Sequence, residues 1–286
     1  MIDFRFALRK SIVLFVAVAF LTGCKLGVSL VYNQADWYVE RRANDLLDFN
    51  RKRREDLHRE VKLFFAEHRK TELPLIAYYL NTTADLISRS SPTAAKIENS
   101  LKDVENLFKR TASLATPGAS RILSSLNTHE LETFRKNITA RNAEQLEELT
   151  SLSLKDWRSQ RMKSFLRAFK FLSGSASQEQ EQLISAWIER SDYSKRLLWI
   201  QNRQDQQNHL IELIQNKASK EDIEMFLNDW IFRAEKSRSK EYIGFLINER
   251  TRFHTLILDL SLSLSPKQKR HFADTLKDLS ESLMES

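Results

Sequence analysis

The chain has 286 residues, 45 of them basic and 38 acidic, for a formal net charge of +7. Only 5 Gly and 4 Pro are present, against roughly 12% of an average chain, so repeated tight hairpins and a Gly-rich phosphate cradle lack material. This argues against β-sandwiches, barrels and nucleotide-binding α/β folds. The 42% hydrophobic and 29% charged residues predict an all-α protein with a real core and a wet surface.

The N-terminus carries Arg5, Arg9 and Lys10, then an apolar run from Ser11 to Phe20. Lys10 and Lys25 bracket 14 uncharged residues, too few for the ~20 that a membrane-spanning helix needs. The pattern predicts a signal peptide. Leu21-Thr22-Gly23-Cys24 then resembles a bacterial lipobox, in which small residues precede a thiol that is acylated before cleavage. Residues 1–23 are therefore expected to be removed. Cys24 would carry a covalent diacylglycerol and an acyl chain of the palmitate type, with no other cofactor. Three chains exceed the two signals that stable membrane attachment requires. Cys24 is also the only cysteine, so no disulfide can form within the chain. Lys25, where an Asp would signal inner-membrane retention, favours the outer membrane, with the body facing the periplasm. The mild charge excess and the envelope compartment both disfavour nucleic acid as a partner.

From Gly27 onward apolar residues recur with a helical period. Leu131, Phe134, Ile138, Leu146 and Leu149 mark one stripe, and Met162, Phe165, Leu166, Phe169 and Leu172 a second. Ile223 to Ile231, Tyr242 to Leu260 and Phe272 to Leu283 supply three more. Helix starts are written as cap boxes at Ser177/Gln180 and at Ser265/Gln268, the latter with Pro266 at the first helical position. Asn127/Glu130, Ser153/Asp156 and Ser219/Asp222 are weaker versions. Ser91-Pro92, Thr116-Pro117-Gly118 and Ser173-Gly174-Ser175 read as breaks. The expected architecture is an elongated bundle of eight or nine helices, one domain over 24–286. Any sub-boundary falls near 88–125. One candidate helix runs from Ser177 to about Asn216, ~60 Å if unbroken. Its waist, Gln201 to His209, is polar all round, which predicts either exposure to solvent or a break.

Tyr32-Asn33-Gln34-Ala35-Asp36-Trp37 and His68-Arg69-Lys70-Thr71-Glu72-Leu73-Pro74 resemble segments of a group of proteobacterial lipoproteins catalogued as a lipoprotein domain of unknown function. The segments opening at Ser177 and Leu264, each with a Gln, resemble two further motifs of that group. Glu67 stands where those proteins usually have Trp. The resemblance implies a helical, lipid-anchored envelope protein and supplies no activity.

His68 and Glu72 share a helix face at i, i+4, the spacing of half a metal site or an acid–base pair. No HExxH motif or Cys/His cluster completes it, and Pro74 suggests that a new helix starts there. The expected role is a hydrogen-bond network at a helix corner among His68, Arg69 and Glu72. Arg51-Lys52-Arg53-Arg54 is a candidate patch for anionic headgroups, although Glu55, Asp56 and Glu60 can pair with it at helical spacing. Trp157, Arg158 and Arg161 offer a cation–π clamp, with core packing the simpler account. No hydrolase signature such as G-x-S-x-G is present, and no small-molecule substrate is indicated. The sequence thus points to a non-enzymatic binding or assembly module whose partners are the membrane and another envelope protein. The alternatives are a metal-binding protein or enzyme using His68 and Glu72, or a carrier of a hydrophobic ligand.

Overall fold

The computed structural model describes residues 29, 32–89, 92–233 and 238–286. The stretch expected to be a signal peptide, with Leu21, Thr22, Gly23 and Cys24 of the expected lipobox, lies outside the described residues. Those described form ten α-helices, one 3-10 helix and no strand. In chain order they are α1 (Ala35–Leu47), α2 (Arg51–Arg89), α3 (Ala94–Ser124), α4 (Thr128–Ser151) and α5 (Leu154–Ser173). There follow α6 (Gln178–Glu189), the 3-10 helix Tyr193–Leu197, α7 (Leu198–Gln215), α8 (Lys220–Phe232), α9 (Lys240–Leu262) and α10 (Pro266–Met284).

The caps form as their sequences dictate. Asn127, Ser177, Ser219 and Ser265 each close a reciprocal capping box with the residue three positions on. Ser153 accepts from the Asp156 N–H. Each box satisfies two backbone donors that would otherwise be orphaned at a helix start.

α2 is the spine, 39 residues long and so about 58 Å. α1, α3 and α10 pack along it, with α8 and α9 against α3, and α4 joining α1 to α7. One core gathers Phe49, Phe65, Leu73, Phe134, Ile138, Leu210 and Ile223. A second holds Trp157, Phe169, Ile184, Ile188, Leu256 and Leu260, with Ile87 from the end of α2. Ala84, Ala273 and Leu276 form a small third cluster, where small residues let α10 approach α2.

Two expected breaks are absent, and one division falls at another place. Pro74 sits inside α2, on an exposed flank near Lys70, whose carbonyl loses its donor where water can replace it. Thr116-Pro117-Gly118 lies inside α3. The carbonyl of Ser113, which Pro117 cannot serve, accepts instead from the Thr116 hydroxyl at 2.9 Å. Gly118 marks a close approach, since a Cβ there would stand 3.3 Å from Glu60 Oε2. The candidate helix from Ser177 to Asn216 is divided between α6 and α7, ahead of its polar waist, and this helps raise the total to ten. The division comes at Ser191-Asp192, where the Asp192 carboxylate accepts from the Ser194 N–H at 3.0 Å and starts the 3-10 helix.

The polar waist neither breaks nor crosses open solvent. Gln201 to His209 is continuous helix within α7, and Asn202, Arg203 and Gln206 are buried. Asn142 of α4 meets this stretch. Its Oδ1 accepts from Arg203 Nη2 and its Nδ2 donates to Gln207 Oε1, each at 2.7 Å. The Arg203 guanidinium lies over the Trp199 ring at 4.8 Å.

Candidate functional site

α1 and the first half of α2 form an antiparallel hairpin, turned at Asp48, which adopts the left-handed conformation (φ 45°). Asn50 caps α2 by accepting from the Arg53 N–H at 3.1 Å. Tyr32, Asp36 and Glu40 recur every four residues and present one face. Each takes a different partner on α2. Tyr32 OH pairs with His68 Nδ1 at 2.7 Å, Lys62 Nζ donates to Asp36 Oδ2 at 2.6 Å, and His58 Nδ1 meets Glu40 Oε1 at 2.8 Å. The two segments that carry the lipoprotein resemblance are therefore one contact, Tyr32 against His68.

His68 is buried, its ring stacked on Tyr32 and packed near Phe64. Its Nε2 faces Thr111 Oγ1 of α3 at 3.4 Å. Burial pushes the imidazole below its ordinary value; Glu72 opposes that shift and Arg69 reinforces it. Burial likewise raises the Tyr32 phenol to about 12. The hydrogen bond from Lys62 holds the Asp36 carboxyl below its ordinary value. The pair is thus a neutral phenol against a neutral imidazole at pH 7.

Glu72 turns away from His68 toward α3. Arg110 grips it with two bonds, Nε to Oε2 at 3.0 Å and Nη2 to Oε1 at 2.9 Å, and the Thr71 hydroxyl donates to Oε1 at 3.2 Å. The Arg69 guanidinium lies over the Tyr32 ring at 5.3 Å. His68, Arg69 and Glu72 therefore make no hydrogen-bond network among themselves, and no helix corner exists at Pro74. Each reaches a different neighbour, tying α1 to α2 and α2 to α3. Among the described residues no group of three or more His, Cys, Asp or Glu side chains is placed to hold a metal ion.

The basic run does not form one patch. Arg53 turns inward, its Nε donating to Glu130 Oε1 at 3.1 Å and its Nη2 to Ser125 Oγ at 3.0 Å. Arg51 pairs with Glu55, Arg54 Nε donates to the Phe49 carbonyl at 2.7 Å, and Lys52 is exposed. Arg51, Arg54, Glu55 and His58 line an open groove of about 600 Å³ with Glu40. A smaller cleft of about 180 Å³ lies at Arg158, Met162 and Ile188. Neither includes His68 or Glu72.

The aromatic clamp combines both of its expected roles. Trp157 is buried, and Arg161 lies between it and Trp187, 4.8 Å from each ring centroid. Arg158 instead donates to the Glu189 carbonyl at 3.3 Å. The second tryptophan comes from α6, thirty residues on in the sequence, and no local pattern pointed to it.

No described helix is long and apolar enough to cross a membrane. Neither a search among curated proteins nor one among solved structures finds a match. Residues 45–243 match the model of a family of unknown function, DUF6279; this span takes in His68 to Pro74 and the Ser177 cap box. The chain belongs to that family.

Proposed function

We propose that the chain is an outer-membrane lipoprotein, anchored through Cys24 with its helices in the periplasm, that works as a non-enzymatic binding or assembly module. One observation carries this reading. Both polar side chains at the best chemical candidate, His68 and Glu72, are used in joining helices, through Tyr32, Thr111 and Arg110. The contact with His68 fixes Tyr32, eight residues after Cys24, to the body. Such an arrangement suits a scaffold held in a defined position at a membrane better than a reaction centre. Long helices with exposed apolar residues, such as Leu75 and Tyr78 on α2, offer a surface for a partner helix or an extended peptide from another envelope protein.

The test is metabolic labelling with a palmitate analogue, together with in-cell photo-crosslinking from position 78. The expected result is label on the wild type and none on Cys24→Ser, with one dominant protein crosslinked from position 78. Equal labelling of both chains would refute the anchor. A wild type labelled but crosslinked to no protein would refute the binding role.

A further inference from the structure

We propose that the outer face of α1, carrying Trp37 and Arg41, rests on the headgroup layer of the membrane that holds Cys24, with anionic phospholipid as its ligand. The inference rests on the Cys24 anchor proposed above. Cys24 is eight residues from Tyr32, and eight residues span at most about 29 Å. Tyr32 is buried and bonded to His68, so the anchor cannot swing far from α1. The body must present some face to the bilayer, and that face lies near this hairpin.

The chemistry of α1 selects which face. Tyr32, Asp36 and Glu40 point to α2, and Ala43, Leu46 and Leu47 belong to the core. Trp37 is 57% exposed, and the guanidinium of exposed Arg41, one turn on, lies 5.4 Å from its ring centroid. An indole beside a guanidinium combines an amphipathic ring suited to headgroup depth with a donor for lipid phosphate. Glu40, next to Arg41, borders the open groove that holds Arg51 and Arg54. That groove lies on the side of α1 that meets α2, where Glu40 and Glu55 offset its two arginines, so Arg41 is the cation this face itself supplies. A single basic residue adds only a modest attraction to an anionic surface, so the face orients a body already tethered and would bind weakly without the anchor.

The experiment uses the lipidated full chain in vesicles of phosphatidylethanolamine and phosphatidylglycerol that carry a headgroup quencher. Once Cys24 is acylated, an introduced cysteine is the one free thiol. A fluorophore is placed at Gln34→Cys, on the Trp37 face, or at Val39→Cys, about 200° round the helix from Trp37. Ile247→Cys on α9 serves as a distant reference. Quenching several-fold stronger at 34 than at 39, reduced by Trp37→Ala and by omitting phosphatidylglycerol, is the expected result. Equal quenching at 34 and 39 in protein that floats with the vesicles overturns the proposed face and leaves the anchor standing. Protein that does not float with them overturns the anchor, and the proposed face with it.

Discussion

Gln180 and Gln268 donate to each other. Gln268 Nε2 reaches Gln180 Oε1 at 2.8 Å, and Gln180 Nε2 reaches Gln268 Oε1 at 3.1 Å. Each is also the third residue of its own capping box, accepting from Ser177 N or Ser265 N. Each donates as well to a carbonyl five residues before its partner, Ser263 for Gln180 and Ser175 for Gln268. Two helix starts, at α6 and α10, thus interlock through matched bonds, and the α5–α6 and α9–α10 corners are held together in the core.

A buried amide that loses one partner leaves the other unsatisfied, at a cost of about 1–3 kcal/mol. Gln180→Met and Gln268→Met should each lower stability by that order in urea unfolding. The double variant should lose clearly less than the sum, because the bonds between the two amides are already gone after the first substitution. Strict additivity would mean that the two amides do not act as a pair.

How much of this was legible depended on range. Each Ser-x-x-Gln box is local chemistry and could be read directly, as could the apolar stripes of α4 and α5. That the two boxes face each other, or that Tyr32 finds His68 thirty-six residues on, is decided by packing and leaves no local trace. Pro117 misled because proline signals a break unless another donor takes the orphaned carbonyl, and Thr116 does so. The Asp192 turn did carry a signal, since Asp two residues before Ser is a local cap, but the helical period around it masked it.

Arg53 and Lys52 are adjacent in the basic run yet differ in role. Arg53 bridges α2 to the Glu130 cap box of α4, with the side chains only 18% and 9% exposed. Arg53→Ala should cost about 1–3 kcal/mol, whereas Lys52→Ala should stay within about 0.5 kcal/mol. Thermal unfolding of both variants distinguishes this from a solvated charge run, in which the two would behave alike.

Gly174 ends α5 with φ at 76°, and a Cβ there would stand 3.1 Å from the His271 ring. Gly174→Ala should destabilise by about 1–2 kcal/mol from the backbone alone, with the ring contact adding to it. The variant Gly174→Ala/His271→Ala should recover the contact part and keep the backbone part. Full recovery would locate the whole cost in the ring.

His68 gives the fold a pH dependence whose direction follows from its burial. In the unfolded chain the imidazole takes a proton near pH 6.5; in the fold, burial among Tyr32, Phe64 and Thr111, with Arg69 adding to it, delays protonation to lower pH, and Glu72 only partly offsets this. Between those two values the unfolded state binds more protons, so stability falls as pH drops below about 6.5 and is flat above it for this group. Asp36, whose carboxyl is held low by Lys62, contributes in a separate window below pH 4. Urea unfolding at pH 7.5, 6.5 and 5.5 should show wild type losing more stability across that range than His68→Gln. The variant cannot titrate there, even though it starts less stable. Parallel losses in the two proteins would show that the titrating group lies elsewhere. The Tyr32→Phe variant keeps the buried imidazole and the stacked ring and removes only the hydroxyl that meets Nδ1, so it should be weakened by about 1 kcal/mol at pH 7.5. It should still show the His68 slope, separating the contact that docks Tyr32 on α2 from the burial that sets the titration.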